Sequence, residues 1–139
     1  MAYIIPNQGD QHILSAAFQG SATLILNLFK NDVTLTADML SNACTLLTGG
    51  GYTTGLFVAP STWCVPYFTA GSSEVSASGH NSADGFKFTF TAAPNESAYG
   101  YVISNTAANK CIVVEKFASF YYLQNAGDTI TLKPKVRAT

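Results

Sequence analysis

The sequence predicts an all-β protein: an antiparallel β-sandwich of jelly-roll-like type with one short N-terminal helix. Two observations carry this prediction. Short segments in which apolar and polar residues alternate recur at even spacing, and turns rich in Gly and Asn separate them. A chain of 139 residues also buries about two-thirds of its unfolded surface, which is enough for one ordinary core. We therefore expect a single domain over residues 1–139, in which residues 1–20 form an arm and the helix.

The helix is predicted near the start of the chain. Asn7 or Asp10 can cap its N-terminus, and Gly20 can end it. Its apolar residues form a narrow stripe, namely Ile13, Leu14, Ala17 and Phe18. A helix this short is not stable alone in water, so we expect it to dock on the rest of the protein.

The strands follow from a period of two. The clearest is residues 85–91, where three phenylalanines alternate with Lys87, Thr89 and Thr91, as in a half-buried antiparallel strand. Residues 22–29 form the first predicted strand, and its leucines share one face while Ile25 and Phe29 lie on the other. Further strands are predicted at 98–104, 110–117 and 129–133.

The strand at 111–117 is apolar on both faces. It is therefore either a central strand of a two-layer fold, which is the ordinary interpretation, or a strand covered by a second subunit. Tyr121, Tyr122 and Leu123 form another aromatic segment, and the same two interpretations apply to it.

The middle of the chain is less regular. Thr36 can cap a helical turn over 37–40, and Gly49, Gly50 and Gly51 predict a break. Strand candidates at 56–59 and 63–69 contain or adjoin Pro60 and Pro66, which place them at a sheet edge or in loops. Residues 71–84 are a long polar stretch, predicted as a loop or, around Val75 and Ala77, as a weak edge strand.

Charge is scarce. Charged residues make up 11% of the chain, against about 25% in an average soluble domain. A surface of small neutral residues lacks the repulsion that keeps free proteins apart, so it favours a protein that packs against copies of itself or a partner. A net charge of −1 argues against nucleic acid, and no run approaches the length of a membrane span. Residues 1–6 have no basic region and no long apolar run, so we expect no secretory signal there.

The search for an active site predicts no enzyme, no cofactor and no metal. The two histidines are His12 on the short helix and His80, which has only local polar neighbours (Ser78, Ser82 and Asp84). No pattern brings two of the glutamates Glu74, Glu96 and Glu115 together, and cross-strand salt bridges are expected for Glu115 and Lys116. Residues 95–97 match a glycosylation sequon by accident, because no secretory signal accompanies it. Three dispersed cysteines, Cys44, Cys64 and Cys111, predict reduced thiols made in a cytoplasm.

Five short blocks carry a resemblance to a known family. Residues 26–34 read LNLFKNDVT, and FTF (88–90), YGYVI (99–103), VEKF (114–117) and GDTITLKP (127–134) follow in order. Together with Ile5, Pro6 and Asn7, the chain resembles the small all-β virion structural proteins of tailed bacteriophages, of the capsid cement or decoration type. It departs from their pattern at Lys116, where Arg is usual, and between residues 39 and 67.

This resemblance implies a protein made in the host cytoplasm that stabilises the phage head by bridging capsid subunits. Its expected partners are the major capsid protein and its own copies, as a homotrimer on the capsid surface. The expected assembly contacts are Tyr3, Ile4, Ile5 and Pro6 of an N-terminal contact arm, together with Tyr121 and Tyr122. An alternative role for this N-terminal arm is to cover an edge of its own sheet.

Two alternatives remain at this stage. In the first, the protein belongs to the tail as a fibre, tip or baseplate component that binds host-surface glycans. The candidates for stacking on sugar rings are then Tyr52, Trp63, Tyr67, Tyr121 and Tyr122. A β-sandwich hydrolase is the other, and the missing acid–base pair disfavours it.

Overall fold

The computed structural model of the chain describes residues 24–39, 41–52, 56–58, 67–69, 72–76, 86–105 and 110–138, together with Ile13, Ser15, Ala16 and Phe18. The predicted N-terminal arm, with Tyr3, Ile4, Ile5 and Pro6, lies outside these residues. So does most of the predicted helix, of which only those four positions are described.

The described elements from residue 24 onwards are strands and one short 3-10 turn, η1 (Ser41–Ala43). The strands are β1 (Leu24–Phe29), β2 (Leu56–Val58), β3 (Tyr67–Thr69), β4 (Ser72–Ser76), β5 (Phe86–Thr89), β6 (Glu96–Asn105), β7 (Lys110–Leu123), β8 (Thr129–Leu132) and β9 (Lys135–Ala138). They form sheets in the orders β2-β1-β6-β7, β3-β4-β9 and β5-β8. Pairs in the first two sheets are antiparallel, and the prediction of an all-β protein is confirmed at this level.

The chain divides into two compact units. One comprises Met1–Ala22, Ala59–Phe86 and Thr131–Thr139, and contains the sheet β3-β4-β9. The other comprises Thr23–Val58 and Lys87–Ile130, and contains the sheet β2-β1-β6-β7. The prediction of one domain over 1–139 stays a prediction. Every functional feature considered below lies within the second unit.

β1 is buried on both of its faces. Leu24, Leu26 and Leu28 are buried on one face, as predicted, and Phe29 is buried on the other. The chain after β1 covers that second face, where Val33, Cys44 and Val102 pack with Phe29 in one apolar cluster. A strand with both faces covered has few positions that tolerate a polar residue, which explains its nearly continuous apolar sequence.

Asn31 closes β1. Its side-chain Nδ2 donates to the carbonyl of Ala43 at 2.9 Å, and its Oδ1 accepts from the N–H of Thr45 at 2.7 Å. The returning segment then pairs with the end of β1, where Phe29 and Leu46 form an antiparallel bridge. One amide therefore fixes the path of the chain after the strand.

β7 extends to Leu123, six residues beyond its predicted end at Phe117, and it stands last in the sheet order β2-β1-β6-β7. Among the described strands, β7 is therefore the last of its sheet and not a central one. Its apolar character instead belongs to a strand that pairs, among the described residues, with β6 alone.

The strand β5 and the last predicted strand are confirmed. Phe88 and Phe90 are buried while Lys87 and Thr89 are exposed, and β8 buries Ile130 and Leu132 between exposed threonines. The turn before β8 is built on Asp128, whose Oδ2 accepts from the N–H groups of Gln124 at 3.0 Å and Asn125 at 2.9 Å. Gly127 supplies the left-handed backbone that this turn needs, with a φ of 90°.

The structure bears on two predictions for the middle of the chain. The chain turns at 36–39, as predicted, where the N–H of Met39 donates to the carbonyl of Thr36 at 3.3 Å; Leu40 lies outside the described residues, and η1 follows. Residues 72–76 of the polar stretch are β4, which stands between β3 and β9 in its sheet rather than at an edge. β2 and β3 stand at sheet edges, as Pro60 and Pro66 indicated, although both prolines lie outside the described residues.

Candidate assembly surface on β7

Three consecutive aromatic side chains near the end of β7 are exposed. Phe120, Tyr121 and Tyr122 have 56%, 55% and 51% of their surface open to solvent. We call these three residues the aromatic patch. Exposed aromatic side chains in a group are a common mark of interaction sites. Tyr121 and Tyr122 were predicted as contacts, whereas Phe120 was not.

A bulge in β7 lies at the start of the patch. Gly100 pairs with Lys116 and Ala98 pairs with Tyr121, so the single residue Tyr99 of β6 lies opposite four residues of β7, 117–120. The extra residues break the regular alternation of side chains. Phe120 lies in this bulge, whereas Tyr121 and Tyr122 pair in regular register with Ala98 and Ser97, so these two tyrosines project from opposite faces of the sheet.

The rings around the bulge pack against one another. Phe120 lies over Tyr99 with ring centroids 5.3 Å apart, and Phe117 meets Tyr121 edge-on at 5.1 Å. Phe117 also contacts Tyr101 at 6.4 Å. Such ring pairs add stability beyond the area they bury, and they restrict the rotamers of the exposed rings. Phe120 and Tyr121 are therefore held in place before any partner binds.

Tyr101 is a buried residue that contacts this group of rings through Phe117. Its ring is buried, and its hydroxyl donates to the carboxylate of Glu115 across the β6–β7 pair. Burial, and then the bond to Glu115, raise the pKa of Tyr101 well above its ordinary value. The predicted salt bridge of Glu115 is therefore replaced by a bond to a phenol, while Lys116 pairs with Asp32 at 2.5 Å.

Gly100 allows β1 and β7 to approach β6 closely beside the bulge. A Cβ atom at this position would overlap the carbonyl oxygen of Glu115 and the ring of Phe29. Only a glycine therefore fits at this position without a shift of the neighbouring chain.

A polar cluster fixes the start of β6. Lys30 Nζ lies 2.6 Å from Glu96 Oε1, and the N–H groups of Thr48 and Gly49 donate to Glu96 Oε2 at 3.0 and 3.1 Å. Burial acts to raise the pKa of Glu96, but the bonds from Lys30, Thr48 and Gly49 outweigh it and lower the pKa to about 2. This carboxylate is saturated with donors, so its role is to join the ends of β1 and β6 to the loop at 48–49.

A second surface feature lies farther back along β7. It is a shallow groove of about 160 Å³ between the segment 35–39 and the start of β7. Its lining carries no charged side chain: Leu35, Thr36, Ala37 and Met39 on one side, and Cys111, Ile112 and Val114 on the other. A second bulge lies here, since Ile103 pairs with Val113 and Ser104 with Cys111, which leaves Ile112 as an extra residue.

The two described cysteines are free thiols in this region. Cys44 is buried and Cys111 is half-buried. Burial raises the pKa of both thiols, and for Cys44 the proximity of Cys111 adds to the effect. A protonated, packed thiol is a weak nucleophile, so neither environment is that of an activated cysteine.

Most of the other aromatic candidates are not available at a described surface. The ring of Tyr52 stacks on Phe90 at 6.0 Å, and its hydroxyl accepts from the N–H of Leu28 at 2.8 Å, so Tyr52 packs inside the protein rather than facing a ligand. Trp63 lies outside the described residues, and of Tyr67 only the backbone, on β3, is described. Tyr121 and Tyr122 are thus the stacking candidates that the structure places at the surface.

The remaining chemical candidates give little. His12, His80 and the serines near His80 lie outside the described residues. Within the described part, no three His, Cys, Asp or Glu side chains are grouped so as to hold a metal ion. No helix among the described residues has the length and apolar character that crossing a membrane requires. Comparison of the chain with protein-family models, curated proteins and solved structures finds no match.

Proposed function

We propose that this chain is a virion structural protein of a tailed phage, of the cement or decoration type, that stabilises the head by bridging subunits of the major capsid protein. The exposed aromatic patch on the last strand of its sheet is the observation that carries the proposal. A free, monomeric protein gains nothing from exposed rings that their neighbours hold in place, as Tyr99 holds Phe120 and Phe117 holds Tyr121. A protein whose surface is covered on assembly does gain from them, because rigid aromatic side chains bury much area at a small cost in conformational entropy.

The sequence blocks and the low charge support the same proposal. The blocks resemble virion proteins of this type, and a surface with few charges can approach a shell or a sister subunit without strong desolvation costs. The proposal includes a jelly-roll-like β-sandwich fold, a homotrimer, a location on the capsid surface and a second contact through the arm at Tyr3, Ile4, Ile5 and Pro6. Binding of the folded chain to the shell then stabilises the shell by mass action.

Co-sedimentation with empty capsids tests this function. The purified chain is mixed with empty capsids of the phage that encodes it, and the bound fraction and the capsid melting temperature are measured. We expect saturable binding and a higher melting temperature. The double variant Tyr121→Ser/Tyr122→Ser should bind at least about tenfold more weakly, since it loses two anchoring rings. Thr89→Ala, an exposed change on β5, is the matched control and should bind like the parent. No binding of the parent chain to capsids would reject the proposal.

A second candidate rests on the two exposed tyrosines. Adjacent phenol rings with free faces can stack on sugar rings, as a tail fibre, tip or baseplate protein would require. A panel of bacterial surface glycans tests this function. Binding that Tyr121→Ser/Tyr122→Ser abolishes, together with no binding to capsids, would move the proposal from the head to the tail.

A further inference from the structure

Two free thiols belong to one apolar cluster. Cys44 is part of the cluster that covers the second face of β1, and Cys111 of β7 packs against the same cluster. We propose that these two cysteines are an oxidation site: a disulfide forms between Cys44 and Cys111 when the folded protein meets a small-molecule disulfide such as oxidised glutathione. The bond would tie the segment after β1 to β7.

The register of the β6–β7 pair places Cys111 on the face of the sheet that Cys44 covers. Val102, a member of the cluster, pairs with Val114, and Ser104 pairs with Cys111. Val102 and Ser104 are alternate residues of one strand, so their side chains share a face, and their partners on β7 share it with them. Cys111 therefore lies on the same face as the cluster residue Val102.

The bulge at Ile112 turns Cys111 to this face. In a regular strand, Cys111 would share a face with Val113, because side chains alternate. Ile112 is an extra residue, however, and the register shift puts Cys111 on the face of Val114 instead. Cys111 and Val114 both pack against the cluster, in agreement with this register.

The backbone at Cys44 is held on both sides. The side chain of Asn31 donates to the carbonyl of Ala43 at 2.9 Å and accepts from the N–H of Thr45 at 2.7 Å, and these two residues flank Cys44. Cys111 is held by the pairing of β7 with β6. Both cysteines lie in the second compact unit. The folded chain therefore keeps the two thiols in a fixed relative placement.

Exposure sets the order of the chemical steps. Cys111 is half-buried and lines the groove, whereas Cys44 is only 5% exposed, so Cys111 reacts first. Its thiolate attacks one sulfur of oxidised glutathione, which forms a mixed disulfide and releases one reduced glutathione. The thiolate of Cys44 then attacks the sulfur of Cys111, and the second glutathione leaves. The two protein thiols lose two protons and two electrons, and one oxidised glutathione becomes two reduced ones.

The bond should stabilise the folded chain. It closes a long loop, from residue 44 to residue 111, and such a bond lowers the entropy of the unfolded chain. Because burial raises the pKa of both thiols, the bond should form slowly at pH 7 and faster at higher pH. A protein made in a reducing cytoplasm would thus fold first and be locked later, outside the cell. This setting, unlike the bond itself, rests on the proposed function.

A tryptic digest tests the bond in the Cys64→Ser chain, which keeps only these two thiols. After incubation with oxidised glutathione at pH 8, peptides 31–87 and 111–116 should be joined, and the intact mass should fall by two hydrogens. In the same background, Cys44→Ala should stop at a glutathione adduct on Cys111, and Cys111→Ser should stay almost unmodified. Linking should raise the melting temperature by about 5 °C or more, and dithiothreitol should reverse the rise.

The same reaction in concentrated urea shows whether the fold places the thiols. At one ratio of reduced to oxidised glutathione, the ratio of linked to unlinked chain should be at least about tenfold lower in urea. The inference is overturned if the folded chain collects a glutathione adduct on each thiol, if it links no better than in urea, or if linking leaves the melting temperature unchanged.

Capsid co-sedimentation separates this inference from the proposed function. A parent chain that binds capsids but does not link rejects the disulfide alone. A parent chain that links but does not bind capsids rejects the proposed function and leaves the disulfide in place.

Discussion

Lys30 Nζ lies 2.6 Å from Glu96 Oε1, and this ion pair joins the residue after β1 to the first residue of β6. These two strands are hydrogen-bonded neighbours in the sheet. The same carboxylate accepts from the N–H groups of Thr48 and Gly49, so three separate parts of the chain meet at one side chain. Much of the order at this end of the sheet therefore depends on the charge of Glu96.

Acid should weaken the protein through Glu96. Its pKa is about 2 in the folded state, below the value of about 4.3 for an unfolded chain. The stabilisation from this carboxylate is therefore complete above about pH 4.3 and is lost as the pH falls towards 2. Urea denaturation at pH 7 and pH 3 measures the loss. Glu96→Gln should be less stable than the parent at pH 7, by about 1–2 kcal/mol, and the gap should narrow at pH 3. A gap that is the same at both pH values would contradict this role.

Gly100→Ala should destabilise the protein by about 1–3 kcal/mol, because the new methyl group overlaps the Glu115 carbonyl and the Phe29 ring. Thermal denaturation followed by circular dichroism measures this change. Ser119→Thr, which adds a methyl group at an exposed position of β7, is the control and should stay within about 0.5 kcal/mol of the parent. Equal stability of Gly100→Ala and the parent would mean that β6 and β7 can separate at no cost.

Tyr52→Phe should cost about 1–3 kcal/mol although it keeps the ring. The hydroxyl accepts from the N–H of Leu28 and donates to Asn27 Oδ1 at 3.4 Å, so its removal leaves a strand N–H without this acceptor. Burial raises the pKa of Tyr52 to about 12, against the opposing effect of the Leu28 N–H. Ultraviolet titration of the parent should thus show a phenol that ionises about two units above an ordinary tyrosine and is absent from Tyr52→Phe. An unchanged titration curve would show that Tyr52 is not the phenol responsible.

The thiols should differ in reactivity. In a Cys64→Ser background, iodoacetamide should alkylate Cys111 before Cys44, because Cys44 is the more deeply buried of the two. Both should react more slowly than a free thiol at pH 7, since burial raises both pKa values and leaves less thiolate. Mass spectrometry of peptides after timed quenching gives the order. Faster modification of Cys44 would contradict the placement of the two side chains.

The sequence predicted the strands in which apolar and polar residues alternate regularly. It missed the features that depend on which strands pair with each other. The phenylalanines of β5 and the threonines of β8 gave the correct faces, because a period of two is a local property. The length of β7 and its last place in the sheet could not be read locally. They depend on which strand pairs with which, and on a bulge opposite Tyr99 that breaks the alternation at 117–120.

The candidate site was predicted in part for the same reason. Tyr121 and Tyr122 stood out as aromatic residues, but Phe120 and the groove at Leu35 and Ile112 needed the three-dimensional arrangement. β9 was missed because it is four residues long and follows Pro134, and its partner β4 lies within a stretch of mostly polar residues. Short strands are specified by the neighbour that pairs with them more than by their own composition.

The bulge opposite Tyr99 also limits how strands of other chains can add to the edge of the sheet. A regular strand at the end of a sheet offers an unbroken row of N–H and C=O groups on which the strand of another chain can add without limit, as in an amyloid fibril. In β7 that row is interrupted twice, at Ile112 and at 117–120. The two bulges therefore disfavour open-ended addition of further strands at β7.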